Sequence, residues 1–389
     1  MNSRESIRLF LLKNKARWED ESACFIIDTK KLVSEITALK ESLKGEIVYS
    51  HKTNPDFNVA EIVASQGCGF LFSSVEELEN IAKLACFEKD KNIFQSPSLT
   101  KNQFLRIREL GITRFVVDSQ DQLGLMLKNM SGGEVIDLFI RVNTGIEVNK
   151  PELSYGMDSY LGFPMAEAMS VLKYLNPLRE ENKVRLGIHN HLISQNTDLD
   201  MWEKNTQLMA DFVDDLKKEN VQIDFVDFGG GYPIEYSKPV PELSAIGNIV
   251  YKAQERMTDA FPDMKYIFEP GRKLIGESVA LIGKIVHIKK FLHKKIVILG
   301  CSLYNCSMDT LIVDLFLTAI KLDCGGDNRG LDKENYIIRG STPDSLDVFS
   351  RGVELPQLRK GDFLAFLHAG AYSFGSEFIS LSKPKNIIV

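Results

Sequence analysis

From residue 45 to residue 275 the chain repeats one unit: a short, apolar, β-rich run, a polar or glycine-rich turn, then a helical stretch. The runs are Ile47–Tyr49, Gly69–Phe72, Asn92–Phe94, Arg114–Val117, Leu138–Val142, Val184–Ile188, Phe225–Phe228 and Tyr266–Phe268, eight in all. Amphipathic stretches lie between them. In the stretch from Ser74 to Ala82, Ser74 followed three residues later by Glu77 predicts a capping box. Strands alternating with helices predict a parallel sheet, and eight such units fit a (β/α)8 barrel of roughly 250 residues. The barrel is expected to span residues 30–275.

Beyond about residue 276 the pattern changes. Val279–Ile288, Lys295–Ile298, Tyr336–Ile338 and Phe363–Phe366 read as strands, separated by Gly, Pro and Asp turns such as Lys360-Gly361-Asp362. Residues 276–389 therefore form a second, mainly β domain, which Ala23–Asp28, from the segment 1–29, is expected to join as an N-terminal strand. Residues 324–335 read as an exposed loop. The expected fold class is α/β: a TIM-type barrel with a mainly β C-terminal domain.

Polar residues gather just after the apolar runs, at the C-terminal ends of the predicted strands, where barrel enzymes place their chemistry. Lys52 follows the first run, His191 the sixth, Gly229-Gly230-Gly231 the seventh and Glu269 the eighth. A lysine at the end of a buried strand is costly unless its amine has work or snorkels to solvent. Composition narrows the options. A formal charge of −6 over 389 residues argues against nucleic acid as the main partner. No apolar run approaches the ~20 residues of a membrane span. The start, Met1-Asn2-Ser3-Arg4-Glu5-Ser6, lacks a signal-peptide core, so a cytoplasmic location is expected. The six cysteines include no Cys-x-x-Cys pair; they read as free thiols, with no metal site expected.

Five segments can be tied together. They are Tyr49-Ser50-His51-Lys52-Thr53-Asn54-Pro55, Gly187 to Gln195 with His189 and His191, Asp227-Phe228-Gly229-Gly230-Gly231-Tyr232-Pro233, Phe268-Glu269-Pro270-Gly271-Arg272 and His368-Ala369-Gly370-Ala371-Tyr372. They supply an amine, a flat ring, two glycine-rich anion sites and a carboxylate. Those are the parts needed to hold and activate pyridoxal phosphate.

In this order, over about residues 24–378, the segments resemble the fold-type III pyridoxal-phosphate decarboxylases, the ornithine, arginine and diaminopimelate group. The resemblance implies that Lys52 holds the cofactor through its amine and exchanges it for the substrate amine. It implies that Glu269 faces the pyridine nitrogen and keeps it protonated, and that His191 stacks on the ring. Ser194, the N–H groups of Gly229, Gly230 and Gly231, the Gly271-Arg272 turn and the Tyr372 hydroxyl would share the phosphate. Arg141 and Glu77 match family positions beside the cofactor, with a structural ion pair as the alternative for each. His189 reads as a core histidine satisfied by a hydrogen bond.

The resemblance also shows departures. Gly340-Ser341-Thr342-Pro343-Asp344-Ser345-Leu346-Asp347 resembles the family's Gly-Pro-Thr-Cys-Asp-x-x-Asp, with Pro343 where the proton-returning cysteine would stand. Asp344 survives, and would meet the distal end of the substrate across a homodimer interface. Leu71 stands for an acid, Ser154-Tyr155-Gly156 for Lys-Phe-Gly, and Ile193 for a glycine. Gly300–Thr310 lacks the arginine that diaminopimelate decarboxylases use for a distal carboxylate, and Asp309 could greet a distal cation instead. The implied function is α-decarboxylation of an amino acid, or of an amino-acid moiety on a larger specialised metabolite. The implied assembly is a homodimer with shared sites. Racemase or other pyridoxal-phosphate chemistry on the same fold, and a non-catalytic decarboxylase-like binding protein, are the alternatives.

Overall fold

Eight parallel strands close on themselves: Glu46–Ser50, Gly69–Phe72, Ile93–Phe94, Arg114–Val117, Ile136–Asn143, Val184–His189, Phe225–Asp227 and Lys265–Phe268. The ring is sealed where Ile267 and Phe268 of the eighth strand pair with Glu46 and Ile47 of the first. All eight apolar runs of the sequence are barrel strands. The computed structural model describes the chain except residues 1–2, 131–134, 148–159, 237, 314, 323–331, 374 and 377. It divides into two compact units: Val33–Pro233 with Val240–Leu274, and Met1–Leu32 with Ile234–Pro239 and Ile275–Val389.

Most strand positions in the barrel are buried on both faces, which is why the runs read as continuously apolar rather than alternating. The alternation is present all the same. Val48, Leu71, Ile93, Val116, Phe139, Phe225 and Ile267, from seven different strands, pack into one apolar cluster. The sixth strand contributes Gly187 at that level. A Cβ there would come within 2.9 Å of Phe139 Cδ1 and of Phe225 Cβ, so the glycine makes room for two rings 5.3 Å apart.

Side chains two residues away along a strand share its face, so this apolar layer has a charged layer on either side. Toward the strand N-termini, Arg114 donates to both oxygens of Glu46 at 2.7 and 3.2 Å. Asp137 takes both hydrogen bonds of Arg185 at 2.7 Å and lies 3.6 Å from Arg114 Nε. The Arg114 guanidinium also sits 5.6 Å from the centres of the Phe139 and Phe225 rings. Leu71, where the family pattern has an acid, is one of the apolar cluster.

The other unit is an eight-stranded sheet among the described residues. Val279–Phe291 is its centre, pairing antiparallel with Ala23–Ile27, Lys294–Leu299 and Phe363–Leu367. Thr318–Leu322, Val348–Pro356 and Lys385–Ile388 are strands that the sequence pattern did not mark. Lys385–Ile388 lies parallel to Ala23–Ile27. Of the stretch read as a loop, Lys333–Asn335 begin the strand Lys333–Arg339; Cys324 and its neighbours to 331 lie outside the described residues. The other five cysteines are free thiols. Among the described residues no helix is long and apolar enough to cross a membrane.

Asp137 is 1% exposed, and burial raises its carboxyl above the usual range despite Arg185 and Arg114 beside it. Asp137→Ala leaves Arg114 short of a buried partner, and should destabilise the barrel by about 3–5 kcal/mol in urea unfolding. A loss below about 1 kcal/mol would mark the network as surface-like.

Candidate active site

The first barrel strand ends at Ser50, and the chain turns at once through a short 3-10 segment, His51–Thr53. The turn buries His51 and Thr53 but leaves Lys52 exposed at the C-terminal mouth of the barrel. Lys52 is therefore at a buried strand end, yet its amine is open to solvent. His51 is tilted against Phe72 at 5.6 Å, and its Nδ1 lies 3.4 Å from Glu77 Oε1. That contact reshapes the predicted capping box. Ser74 Oγ accepts from Glu77 N at 3.1 Å, but the Glu77 carboxylate accepts from Ser73 N at 2.8 Å, one residue early. Burial raises the Glu77 carboxyl, and hydrogen bonds from His51, Ser73 and Ser74 more than offset that, leaving it below its ordinary value.

Two residues past the apolar layer, on the mouth side, stand Ser50, Asp118, Arg141, His189, Asp227 and Glu269. Arg141 Nη1 is 3.9 Å from Asp118 Oδ1. His189 Nε2 is 3.3 Å from Glu269 Oε2, both buried. One ligand-type atom from each of His189, Asp227 and Glu269 falls within 4.8 Å of the others. His189 is thus a core histidine whose Nε2 meets the candidate catalytic carboxylate, while its Nδ1 is buried without a hydrogen-bond partner.

Electrostatics follow from burial. Desolvation lowers His189 to about 4, so it is neutral. Desolvation raises Asp227 well above the carboxylate range, with the Glu269 charge adding to the push. Glu269 rises to about 7: desolvation lifts it, while its link to Asp227 and the charges of Arg141 and Lys52 hold it down. Glu269 Oε1 and Asp227 Oδ2 are buried without a hydrogen-bond partner.

The glycine turn after the seventh strand packs against this layer. Gly229 has φ 63°, and a Cβ on it would lie 2.4 Å from Asn190 O; one on Gly230 would lie 2.7 Å from Glu269 O. Only glycine allows that approach. Gly229 N donates to Asp227 Oδ1 at 2.8 Å and Gly230 N to His191 Nδ1 at 3.1 Å. Gly231 N has no acceptor among the described residues. Two of the three N–H groups expected to face an anion are therefore committed to side chains. His191 is half-buried, and burial, then the charges of Arg141, His189 and Lys52, hold its ring well below the usual value and neutral. Ser194 is half-buried, beside Ile193, which packs with Ile146 and Leu192. Gly271 lies against Thr53, where a Cβ would come within 2.2 Å of Oγ1, and buried Arg272 opens the helix Arg272–Ile275.

Lys52, His191, Ser194, Gly229–Gly231, Glu269, Gly271 and Arg272 thus all belong to the barrel unit. Tyr372, Asp309 and Asp344 belong to the β unit. Tyr372 is half-buried at φ 55°. Asp309 is half-buried in the helix Met308–Val313. Asp344 accepts from Leu346 N at 2.8 Å, in a loop braced by buried Asp347, which accepts from Leu303 N and from Thr342 N and Oγ1. Ser154-Tyr155-Gly156 lie outside the described residues. A separate cavity of about 500 Å³ lies in the β unit, over Ile7, Phe10 and Ile26; His368 lines it, but none of the residues expected to hold the cofactor or the substrate does. Sequence reasoning missed Asp227 and His51, although both sit in the segments quoted for other residues. The signal was the one used for Lys52: a charged or titratable side chain at the end of a buried strand.

Residues 29–276 match the pyridoxal-dependent decarboxylase family in its pyridoxal-binding domain. The chain belongs to this family. Diaminopimelate decarboxylase of Methanocaldococcus jannaschii is 29% identical over 359 residues, 88% of this chain and 78% of that one. Lysine/ornithine decarboxylase of Selenomonas ruminantium is 23% identical over 356 residues, 89% and 86% of the two chains. A crystal structure of the M. jannaschii enzyme in complex with L-lysine superposes with TM-score 0.86 at 25% identity, covering 97% of this chain and 89% of that one. This decarboxylase acts on an amino acid and depends on pyridoxal phosphate. Its residues fit that cofactor: an exposed lysine at the mouth, a buried unpartnered carboxylate oxygen beneath, and a glycine turn that a Cβ would fill.

A carboxyl raised to about 7 is a stability liability. Below its unfolded value near 4.5 both states carry the proton and no penalty exists; between about 4.5 and 7 only the unfolded state ionises, and the folded state loses stability. Glu269→Gln escapes that loss. In cofactor-free protein its stability relative to wild type should rise by about 2–3 kcal/mol between pH 4.5 and pH 8. Parallel curves for the two proteins would show that Glu269 is not desolvated.

Proposed function

We propose that decarboxylation takes place at the C-terminal mouth of the barrel, on an amino acid or an amino-acid moiety carried by a larger molecule. The observation that supports this most is the buried, unpartnered Glu269 Oε1 within reach of the charge of the exposed Lys52. When bound, pyridoxal phosphate supplies the electron sink into which the bond to the departing carboxylate empties. Lys52 would hold it covalently, and its amine, being solvent-exposed, would be open to the substrate amine. Glu269 holds a proton at the pyridine nitrogen. His191 would lie on the ring face; because burial keeps it neutral, it would add no charge to repel a protonated ring.

Within the barrel unit, the phosphate would fall to Ser194, Gly231 N and the Gly271-Arg272 turn. Gly229 and Gly230 contribute mainly by having no Cβ there, their N–H groups being engaged. Diaminopimelate, lysine and ornithine are the substrates named for the relatives. They are the first to test here, with carbon dioxide release scored against racemisation. Release from none of a broad amino-acid panel would point to a carrier-linked substrate. Pro343 has no acidic group, so the proton returned to the substrate carbon must come from elsewhere.

The active form is a homodimer with shared sites, Asp344 of one chain facing the partner's Lys52. Closing the mouth in this way excludes water and orients the distal end of the substrate. Two outcomes test these roles. Glu269→Gln should keep the cofactor but lose turnover on the order of 10²-fold or more; turnover within about twofold of wild type would make Glu269 structural. Inactive Lys52→Ala and Asp344→Ala proteins, mixed under conditions of subunit exchange, should recover about a quarter of wild-type activity, since half the dimers carry one intact site. A dead mixture with exchange demonstrated contradicts the shared site.

A further inference from the structure

Beside Glu269, in the same layer, stand two buried groups that the roles above do not use. His189 Nε2 stands 3.3 Å from Glu269 Oε2. Asp227, wholly buried at the end of the seventh strand, has Oδ1 fixed by Gly229 N at 2.8 Å, while Oδ2 has no partner. The remaining Glu269 oxygen, Oε1, has none either, and the three residues cluster within 4.8 Å. Two buried carboxylate groups this close above an apolar layer cannot both be bare; one proton between them turns repulsion into a hydrogen bond.

We propose that Asp227 is a positioning residue that keeps this proton and donates it to Glu269, so that Glu269 meets the cofactor as an oriented, ionised acceptor. The proposal rests on the reading of Glu269 as the partner of the pyridine nitrogen. Its geometry is two-ended. Asp227 Oδ1 accepts from the glycine turn, which fixes the carboxyl plane, and Oδ2–H can then reach only inward. His189, neutral and with Nε2 on Glu269, holds the second carboxylate oxygen. Each oxygen of Glu269 then has one donor that carries no net charge, and since a carboxylate oxygen accepts two hydrogen bonds, the pyridine proton can still be taken. Burial raises the Asp227 carboxyl well above the carboxylate range, with the Glu269 charge adding to the push, which agrees with this assignment.

An asparagine copies a protonated aspartate: its Oδ1 accepts from Gly229 N and its Nδ2–H donates to Glu269. It cannot copy a carboxylate. The test measures cofactor Kd by equilibrium dialysis, the long-wavelength absorbance of the lysine-bound cofactor, and kcat and KM, for Asp227→Asn, Asp227→Leu and Glu269→Gln. The expected result is a Kd for Asp227→Asn within about threefold of wild type with an unshifted absorbance. Asp227→Leu should weaken the cofactor tenfold or more and lower kcat rather than raise KM. If Asp227→Leu does not fold, the Asp227→Asn comparison alone decides. Asp227→Asn as weak as tenfold while retaining the wild-type melting temperature would mean that Asp227 works as an anion, and would overturn the proposal. So would a Kd unmoved in Asp227→Leu, or one stoichiometric metal ion held by the cluster. Glu269→Gln with unchanged Kd, absorbance and kcat would instead remove the reading of Glu269 itself.

Discussion

The apolar layer across the middle of the barrel is the constraint on which the site depends. Seven side chains and Gly187 seal the barrel below Asp227, His189 and Glu269. Water cannot reach these groups from the strand N-termini, so desolvation sets their protonation before any ligand arrives. Phe139 and Phe225 close the seal only because Gly187 has no Cβ, and the same two rings carry the Arg114 guanidinium beneath. One glycine thus connects the packing, the charge network at the strand N-termini and the electrostatics of the mouth.

The three layers follow from a period of two running through short strands. Asp137, Phe139 and Arg141 are bottom, middle and top of the fifth strand; Arg185, Gly187 and His189 repeat the order on the sixth. Two carboxyl groups can then lie together at the top because one proton is shared between them, because Arg141 bears on Glu269, and because the glycine turn brings backbone to within contact distance. The energy that makes Glu269 a strained, raised carboxyl in the cofactor-free protein is what a protonated pyridine nitrogen would relieve.

The barrel was legible in the sequence because each strand is a compact run of β-formers bounded by turn residues, as in Arg114–Val117. The layering was not. Residues such as Asp137 and Arg141 look alike in sequence, flanking the same apolar run, yet one braces the barrel floor and the other bears on the site. Lys52, His191 and Glu269 could be named from their motifs because each follows a run. Asp227 escaped notice because it lies inside a run, and its consequence, a carboxyl beside Glu269, depends on the seventh and eighth strands being neighbours. The strands Thr318–Leu322 and Val348–Pro356 went unmarked since their burial is partial and mixed, set by partners rather than by local pattern. The expected anion nest of three glycine N–H groups also reads differently in three dimensions, since side chains distant in sequence claim two of them.

Borohydride reduction of the cofactor-loaded protein, followed by peptide mapping, tests the placement of the chemistry most directly. The carbon–nitrogen double bond between cofactor and lysine becomes a stable single bond, marking the residue that held it. The label is expected on the peptide containing Lys52, one per chain. Label on any other lysine, or none after loading, would contradict a site built at the mouth of this barrel.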